Sequence, residues 1–107
     1  MANAMQAAAL DALGDPTRRA IVEILAEGPS SVQAIADRLP VSRPAVSRHL
    51  RLLKAAELVT DEAVGAQRRY ELRPEGVLAI RRYFEQLWGD AARRYQVSVD
   101  NTRPRRR

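Results

Sequence analysis

No cysteine occurs in the 107 residues. Its absence excludes disulfides, thiolate metal sites and a thiol nucleophile, and it agrees with a reducing, cytoplasmic setting. Histidine occurs once, which leaves poor ground for a metal centre. Aromatic residues are few, with one Trp, three Tyr and one Phe, too few for the stacking platform by which proteins read RNA. No apolar run approaches the roughly 20 residues of a membrane span, so no membrane partner is expected. The N-terminal stretch MANAMQAAALDALGDP lacks a basic region followed by an apolar one, so it does not read as a secretory signal. Neither a glycine-rich phosphate loop nor a framed pair of carboxylates is present, and no enzyme and no cofactor is expected. The length suits one domain with a modest core and is short for a large concave active site.

One absence is local. Between residues 43 and 54 there is no Asp or Glu, while Arg43, Arg48, Arg51 and Lys54 fall in that window. The net charge is +5, yet residues 1–100 hold 14 basic and 13 acidic side chains. The excess therefore sits in two places, this window and the terminal NTRPRRR. A basic stripe on one element is the footprint expected of a nucleic-acid binder, and a solvated helix face is the plainer alternative.

Hydrophobic periodicity orders the rest. Residues 3–13 are Ala-rich and helix-prone, with Met5, Ala8, Ala9, Ala12 and Leu13 on one side. Asp15-Pro16 opens a second helix, Asp as cap and Pro at the first position. Ala20, Ile21, Ile24 and Leu25 form its apolar face, Arg19 and Glu23 an outer pair, and Gly28-Pro29 a stop. Ser31 caps a short third helix carrying Val32, Ile35, Ala36 and Leu39. Pro40 closes it, and residues 41–42 make a tight connection, so the pair reads as a helix-turn-helix.

The fourth helix spans about residues 42–57. At 100° per residue, Arg43, Pro44, Ser47, Arg48, Arg51 and Lys54 lie on one side, and Ala45, Val46, His49, Leu50, Leu52 and Leu53 on the other. The stretch LVTDEAVGAQRRYEL has no helical period. It reads as two strands with a turn at residues 64–66, a hairpin wing carrying Arg68 and Arg69 near its tip. Pro74-Glu75 starts the last helix, to about residue 97. Val77, Ile80, Tyr83, Phe84, Leu87, Trp88, Ala91 and Tyr95 form its apolar stripe. The expected fold is mainly α with a β-hairpin wing, in the order α-α-α-α-β-β-α. Residues 1–99 form the domain and 100–107 a basic, disordered tail, which adds nonspecific attraction to DNA or nothing.

The segments ALGDPTRRAIVEIL, SSVQAIADRLPVSRPAVSRHLRLLKAAELV and RRYELRPEGV resemble the ArsR family of bacterial winged-helix repressors. The likeness runs from about residue 12 to residue 87. Its most specific element, Ser-x4-Ser-x-His-Leu-x2-Leu, is met by Ser42, Ser47, His49, Leu50 and Leu53. The resemblance implies a homodimer that binds a double-stranded operator and represses transcription, often of its own operon. Family members that sense metals do so through cysteines on the third helix or histidines and acids on the last. Here the third helix reads SVQAIADRL and the last has no histidine, so the likeness is to the non-metal-sensing branch, and no inducer can be named. Glu57 stands where the family commonly has Gly, which leaves the end of the fourth helix open.

On that reading Arg43, Pro44, Ser47 and Arg48, at the start of the reading helix with Ser42, face base edges in the major groove. Arg51 and Lys54 meet phosphates. His49 is an interhelical residue, a DNA contact or, as the least favoured reading, a metal ligand. Ser31 and Gln33 begin the third helix, where Ser31 caps and a phosphate could also sit. Arg68 and Arg69 reach the minor groove or its phosphates. Met5, Ala8, Ala9 and Ala12 of the first helix and Phe84, Leu87, Trp88, Ala91 and Tyr95 of the last are expected in the dimer interface. The competing function is a winged-helix protein-interaction module without DNA binding, which would have no need of the basic face.

Overall fold

Each of the first four helices begins on a short polar side chain. In the computed structural model, which describes residues 3–102, Asn3, Asp15, Ser31 and Ser42 accept hydrogen bonds from the backbone N–H groups of Gln6, Arg18, Ala34 and Ala45. These bonds satisfy donors that a helix start otherwise leaves unpaired. They open α1 (Ala4–Ala12), α2 (Pro16–Leu25), α3 (Val32–Ala36) and α4 (Arg43–Ala55). Pro16 and Pro44 sit within the first turns of α2 and α4, where a missing N–H costs nothing.

The hairpin follows as β2 (Val59–Val64) and β3 (Gln67–Leu72), then α5 (Pro74–Thr102). Gly65 takes φ +61° at the first turn position, the sign a tight hairpin turn requires there. A two-residue strand, β1 (Ser30–Ser31), was not foreseen. It pairs antiparallel with β3, Ser30 opposite Tyr70 and Ser31 opposite Arg69, giving the sheet order β1-β3-β2. Two serines carry no strand pattern, and only the nearby β3 edge makes them one. Asp61 lies opposite Tyr70 and Ala63 opposite Arg68. Period-two alternation therefore puts Val59, Asp61, Arg68, Tyr70 and Leu72 on one face of the hairpin and Arg69 and Glu71 on the other.

The core joins Ile21, Ile24 and Leu25 of α2, Ile35 of α3 and Val46, Leu50 and Leu53 of α4, with Leu58 and Val59 beneath. Burial of each such side chain is worth about 1.5–3 kcal/mol. Ala9 and Ala12 belong to this core, Ala9 fully buried. Their expected place in a dimer interface is corrected: a side chain already sealed within the subunit has nothing to present to a second copy. Gln6 is buried with them, its Oε1 accepting from the Asn3 N–H. The inner face of α1 is thus rotated from the predicted one and leaves Ala8 exposed and Met5 half-buried. An Ala-rich helix marks its faces too weakly for the sequence to orient it. The expected Arg19–Glu23 pair gives way to a hydrogen bond from Arg19 Nη1 to the Leu13 carbonyl at 2.8 Å.

α4 ends on a left-handed residue. Glu57 takes φ +62°. The Leu58 N–H donates to the Leu53 carbonyl and the Glu57 N–H to that of Lys54, each at 3.0 Å, the pair of bonds that defines a Schellman stop. Gly76, in the first turns of α5, packs onto that stop. A Cβ there would fall inside van der Waals contact with the Glu57 carbonyl oxygen and 3.1 Å from Leu58 Cα.

α5 continues to Thr102, five residues past the predicted end, so residues 100–102 of the expected tail are helical. The rest of that tail lies outside the described residues. The helix packs on α1. Ala79 is buried and Ile80 and Tyr83 are half-buried, but Phe84, Leu87, Trp88, Ala91 and Tyr95 are exposed. No helix among the described residues is long and apolar enough to cross a membrane.

Candidate nucleic-acid interface

Three elements meet at an open groove of about 380 Å³: the start of α3, the first turns of α4 and the tip of the wing. Ser31, Gln33, Arg43, Pro44, Ser47 and Arg68 line it. The placement follows from local causes. The Ser42 cap and Pro44 fix where α4 starts, and the leucine face then turns Arg43, Ser47 and Arg48 away from the core. Val46, Leu50 and Leu53 are fully buried, whereas Arg43, Arg48, Arg51 and Lys54 are exposed. Among the described residues, no hydrogen bond or ion pair engages the side chains of Arg43, Arg48, Arg51 or Arg69. Elsewhere Arg18, Arg19, Arg38 and Arg73 meet acceptors of the chain, whereas among the described residues Arg82 and Arg94 of α5, like the arginines of α4, do not. The guanidiniums of α4 thus face solvent with their donors unused.

Ser31 and Ser42 are caps first. Each hydroxyl oxygen accepts from a backbone N–H, at 3.1 and 3.3 Å, and each hydroxyl hydrogen stays available to donate. Gln33 donates from Nε2 to Asp37 Oδ1 at 2.6 Å, so one of its amide hydrogens is engaged. Arg69 lies on the other face of the hairpin from Arg68, beside Ser30, Ser31 and Gln67.

His49 lies on the inner side of α4 and not in the groove. Its side chain is 15% exposed, with Nδ1 at 3.9 Å from Asp15 Oδ2 and 3.5 Å from Arg18 Nη1. Of the three sequence readings, this geometry is that of the interhelical residue, joining α4 to the start of α2. Arg18 also donates from Nε to the Ala12 carbonyl at 2.5 Å, which ties α1 into the same joint. The Arg18 backbone N–H, with the charges of His49 and Arg18 behind it, holds the Asp15 carboxyl below the ordinary carboxylate range.

Lys54, expected on phosphates, and Arg68, expected at the minor groove or its phosphates, share an internal partner. Lys54 Nζ lies 2.6 Å from Asp61 Oδ1 and Arg68 Nη1 lies 3.0 Å from Asp61 Oδ2. The Asp61 side chain is only 7% exposed, and the Lys54 ammonium, with Arg68 behind it, holds its carboxyl below the usual range. The sequence reading missed Asp61. The signal was available, because strand alternation puts residue 61 on the inner side of the wing, where a lone carboxylate needs a cation. Among the described residues there is no group of three or more His, Cys, Asp or Glu side chains able to hold a metal ion.

Comparison with known proteins bears on the arrangement as a whole. Residues 13–62 match the family model of a helix-turn-helix domain. Over 93 residues the chain is 50% identical to the HTH-type transcriptional regulator Rv2034 of Mycobacterium tuberculosis, covering 87% of each protein. An ArsR-like transcriptional regulator from Rhodococcus sp. RHA1 is similar in structure, with a TM-score of 0.79 at 31% identity over 95% of this chain and 96% of that one. The homodimeric winged helix-turn-helix DNA-binding domain of a possible ArsR-family regulator from Mycobacterium bovis gives a TM-score of 0.65 at 26% identity, over 86% and 82%.

Proposed function

This chain belongs to the ArsR family of winged helix-turn-helix transcriptional regulators, DNA-binding proteins and not enzymes, and from that premise we propose that it is a homodimeric repressor that blocks a promoter by occupying a near-palindromic operator. α4 lies in the major groove and the β2–β3 wing lies against the flanking minor groove or its phosphates. The observation that carries this reading is the set of unpaired guanidiniums on α4, beside the groove that α3, α4 and the wing tip enclose.

Roles follow from chemistry. Arg43 and Arg48 can each donate two parallel bonds to guanine O6 and N7, Ser47 can donate or accept, and Pro44 can pack on a thymine methyl. Arg51, farther along α4, meets phosphate, as do Arg69 and the hydroxyls of Ser31 and Ser42 at the groove edge. Gln33, half engaged with Asp37, offers its remaining amide hydrogen.

The two-fold partner covers the exposed stripe of α5, Phe84, Leu87, Trp88, Ala91 and Tyr95, together with Met5 and Ala8 of α1. The homodimeric neighbour supports dimerisation, and the exposure of the stripe supports its place in the contact. A two-fold dimer sets two reading helices one duplex turn apart, roughly 34–36 Å. Such a regulator works where the chromosome is, which agrees with a cytoplasmic protein.

The test is operator binding by Arg48→Ala, measured by gel shift on the region upstream of the protein's own gene. Loss of one bidentate contact from each subunit is expected to weaken binding by at least about 30-fold, with the dimer mass unchanged. Binding as tight as wild type would show that α4 is not the reading helix. Failure of the wild-type protein to bind any duplex would favour the protein-interaction reading.

A further inference from the structure

A carboxylate on a surface that meets a polyanion opposes binding by charge alone, yet Asp61 stands between the two elements assigned to DNA. It belongs to neither element's outward face. It is nearly buried on the inner side of β2, one oxygen on the ammonium of Lys54 from α4 and the other on the guanidinium of Arg68 from β3. The two cations differ in what lies beyond them. Arg68 lines the groove with Arg43 and Ser47, whereas Lys54 does not.

We infer that Asp61 is a positioning residue for DNA binding: anchored on α4 through Lys54, it aims the Arg68 guanidinium over the groove as a phosphate ligand. The inference rests on the operator-binding reading above. Its chemistry is that of an oriented donor. An arginine has five N–H donors in a rigid planar fork, and the contact with Asp61 involves Nη1, leaving the in-plane donors of its other edges for a phosphate. Without the carboxylate, a side chain that is 58% exposed samples many rotamers, and binding must then order it. The second oxygen ties the same carboxylate to α4, so the wing and the reading helix move as one piece. Lys54, which the sequence suggested as a phosphate contact, becomes the anchor. Its charge is spent inside the protein.

The salt dependence of binding separates this role from a structural one. The slope of log K against log salt counts phosphates neutralised, about 0.9 for each on duplex DNA. A variant that lowers only the folded fraction weakens binding equally at every salt concentration and keeps the slope. Binding of the full-length dimer to a labelled duplex from its own upstream region is measured by fluorescence anisotropy across salt, for wild type, Asp61→Asn, Arg68→Gln and the double variant. Asp61→Asn is expected to bind about tenfold more weakly near 0.15 M salt, with a slope shallower by about two, because one phosphate contact is lost from each subunit of the dimer. Arg68→Gln is expected to do the same, and the double variant no worse than either. The inference is overturned by Asp61→Asn binding as tightly as wild type or more tightly, by an unchanged slope, or by losses that add in full. If Asp61→Asn does not fold, Lys54→Gln replaces it in the same cycle, at a side chain that is 55% exposed, and full additivity with Arg68→Gln overturns the inference. A wild-type protein that binds no duplex overturns both this inference and the reading beneath it. Wild-type binding that Arg48→Ala abolishes and Asp61→Asn leaves intact overturns this inference alone.

Discussion

Glu57 holds a backbone conformation that costs an L-residue about 1–2 kcal/mol, and it does so because α4 must stop there. The turn has to return Leu58 and Val59 to the core, and both are almost fully buried. Its ion pair with Arg73, 3.5 Å between partly exposed groups, returns little. Glu57→Gly removes the strain at the cost of a freer unfolded chain. It is expected to stabilise the protein by a net of about 0.5–1 kcal/mol, a rise of roughly 2–6 °C in melting temperature at fixed protein concentration. An unchanged or lower melting temperature by calorimetry would refute this account of the stop. At this scale the sequence is legible wherever a residue's role is local. Asp15, Ser31 and Ser42 cap as their types and positions imply. It fails where the role depends on a partner far along the chain. His49 meets Asp15 and Arg18, and Lys54 meets Asp61, and no periodicity within one helix reports such pairings.

At the scale of elements, α5 is docked by a close backbone approach. Helix propensity alone favours Ala over Gly at position 76 by about 1 kcal/mol. The packing predicts the opposite sign, because the added methyl meets the backbone of Glu57 and Leu58 and not a side chain that could swing aside. Gly76→Ala is therefore expected to destabilise the protein by about 1–3 kcal/mol, read from urea unfolding. A stabilised variant would mean that α5 does not sit against the end of α4. The hairpin was legible from its turn glycine and its alternation; the second strand appears where the pattern put it, while Val64, expected in the turn, closes the first. β1 was not, since its strand character comes from the β3 edge beside it. α1 was found as a helix but not oriented, because alanines give the hydrophobic effect almost nothing to distinguish one face from another.

For the molecule as a whole, the exposed apolar stripe on α5 is the feature a lone subunit leaves unexplained. Trp88 is 76% exposed and Tyr95 71%, and at 29 residues the helix is about 43 Å long, more than α1 alone can cover. Placing a charge in the proposed two-fold contact by Trp88→Glu is expected to weaken dimerisation by at least about 2 kcal/mol, or roughly 30-fold. The subunit fold should survive, since Trp88 is not part of the core. Sedimentation equilibrium at micromolar concentration should then find monomers, and operator affinity should fall with the loss of the paired reading helices. A variant that stays dimeric would place the interface elsewhere.

The order of the helices and of the two hairpin strands, the choice of α4 as the helix proposed to read DNA and the basic character of its outer face were determined by the sequence itself. Each rests on local periodicity, on caps and turns, and on the types of residue within a dozen positions. Only the tertiary structure decided which cations remain free and which are neutralised within the chain. Ion pairing depends on distances of 3–4 Å between elements far apart in sequence, and a helical wheel cannot distinguish Arg51, whose side chain meets no partner among the described residues, from Lys54, held by Asp61.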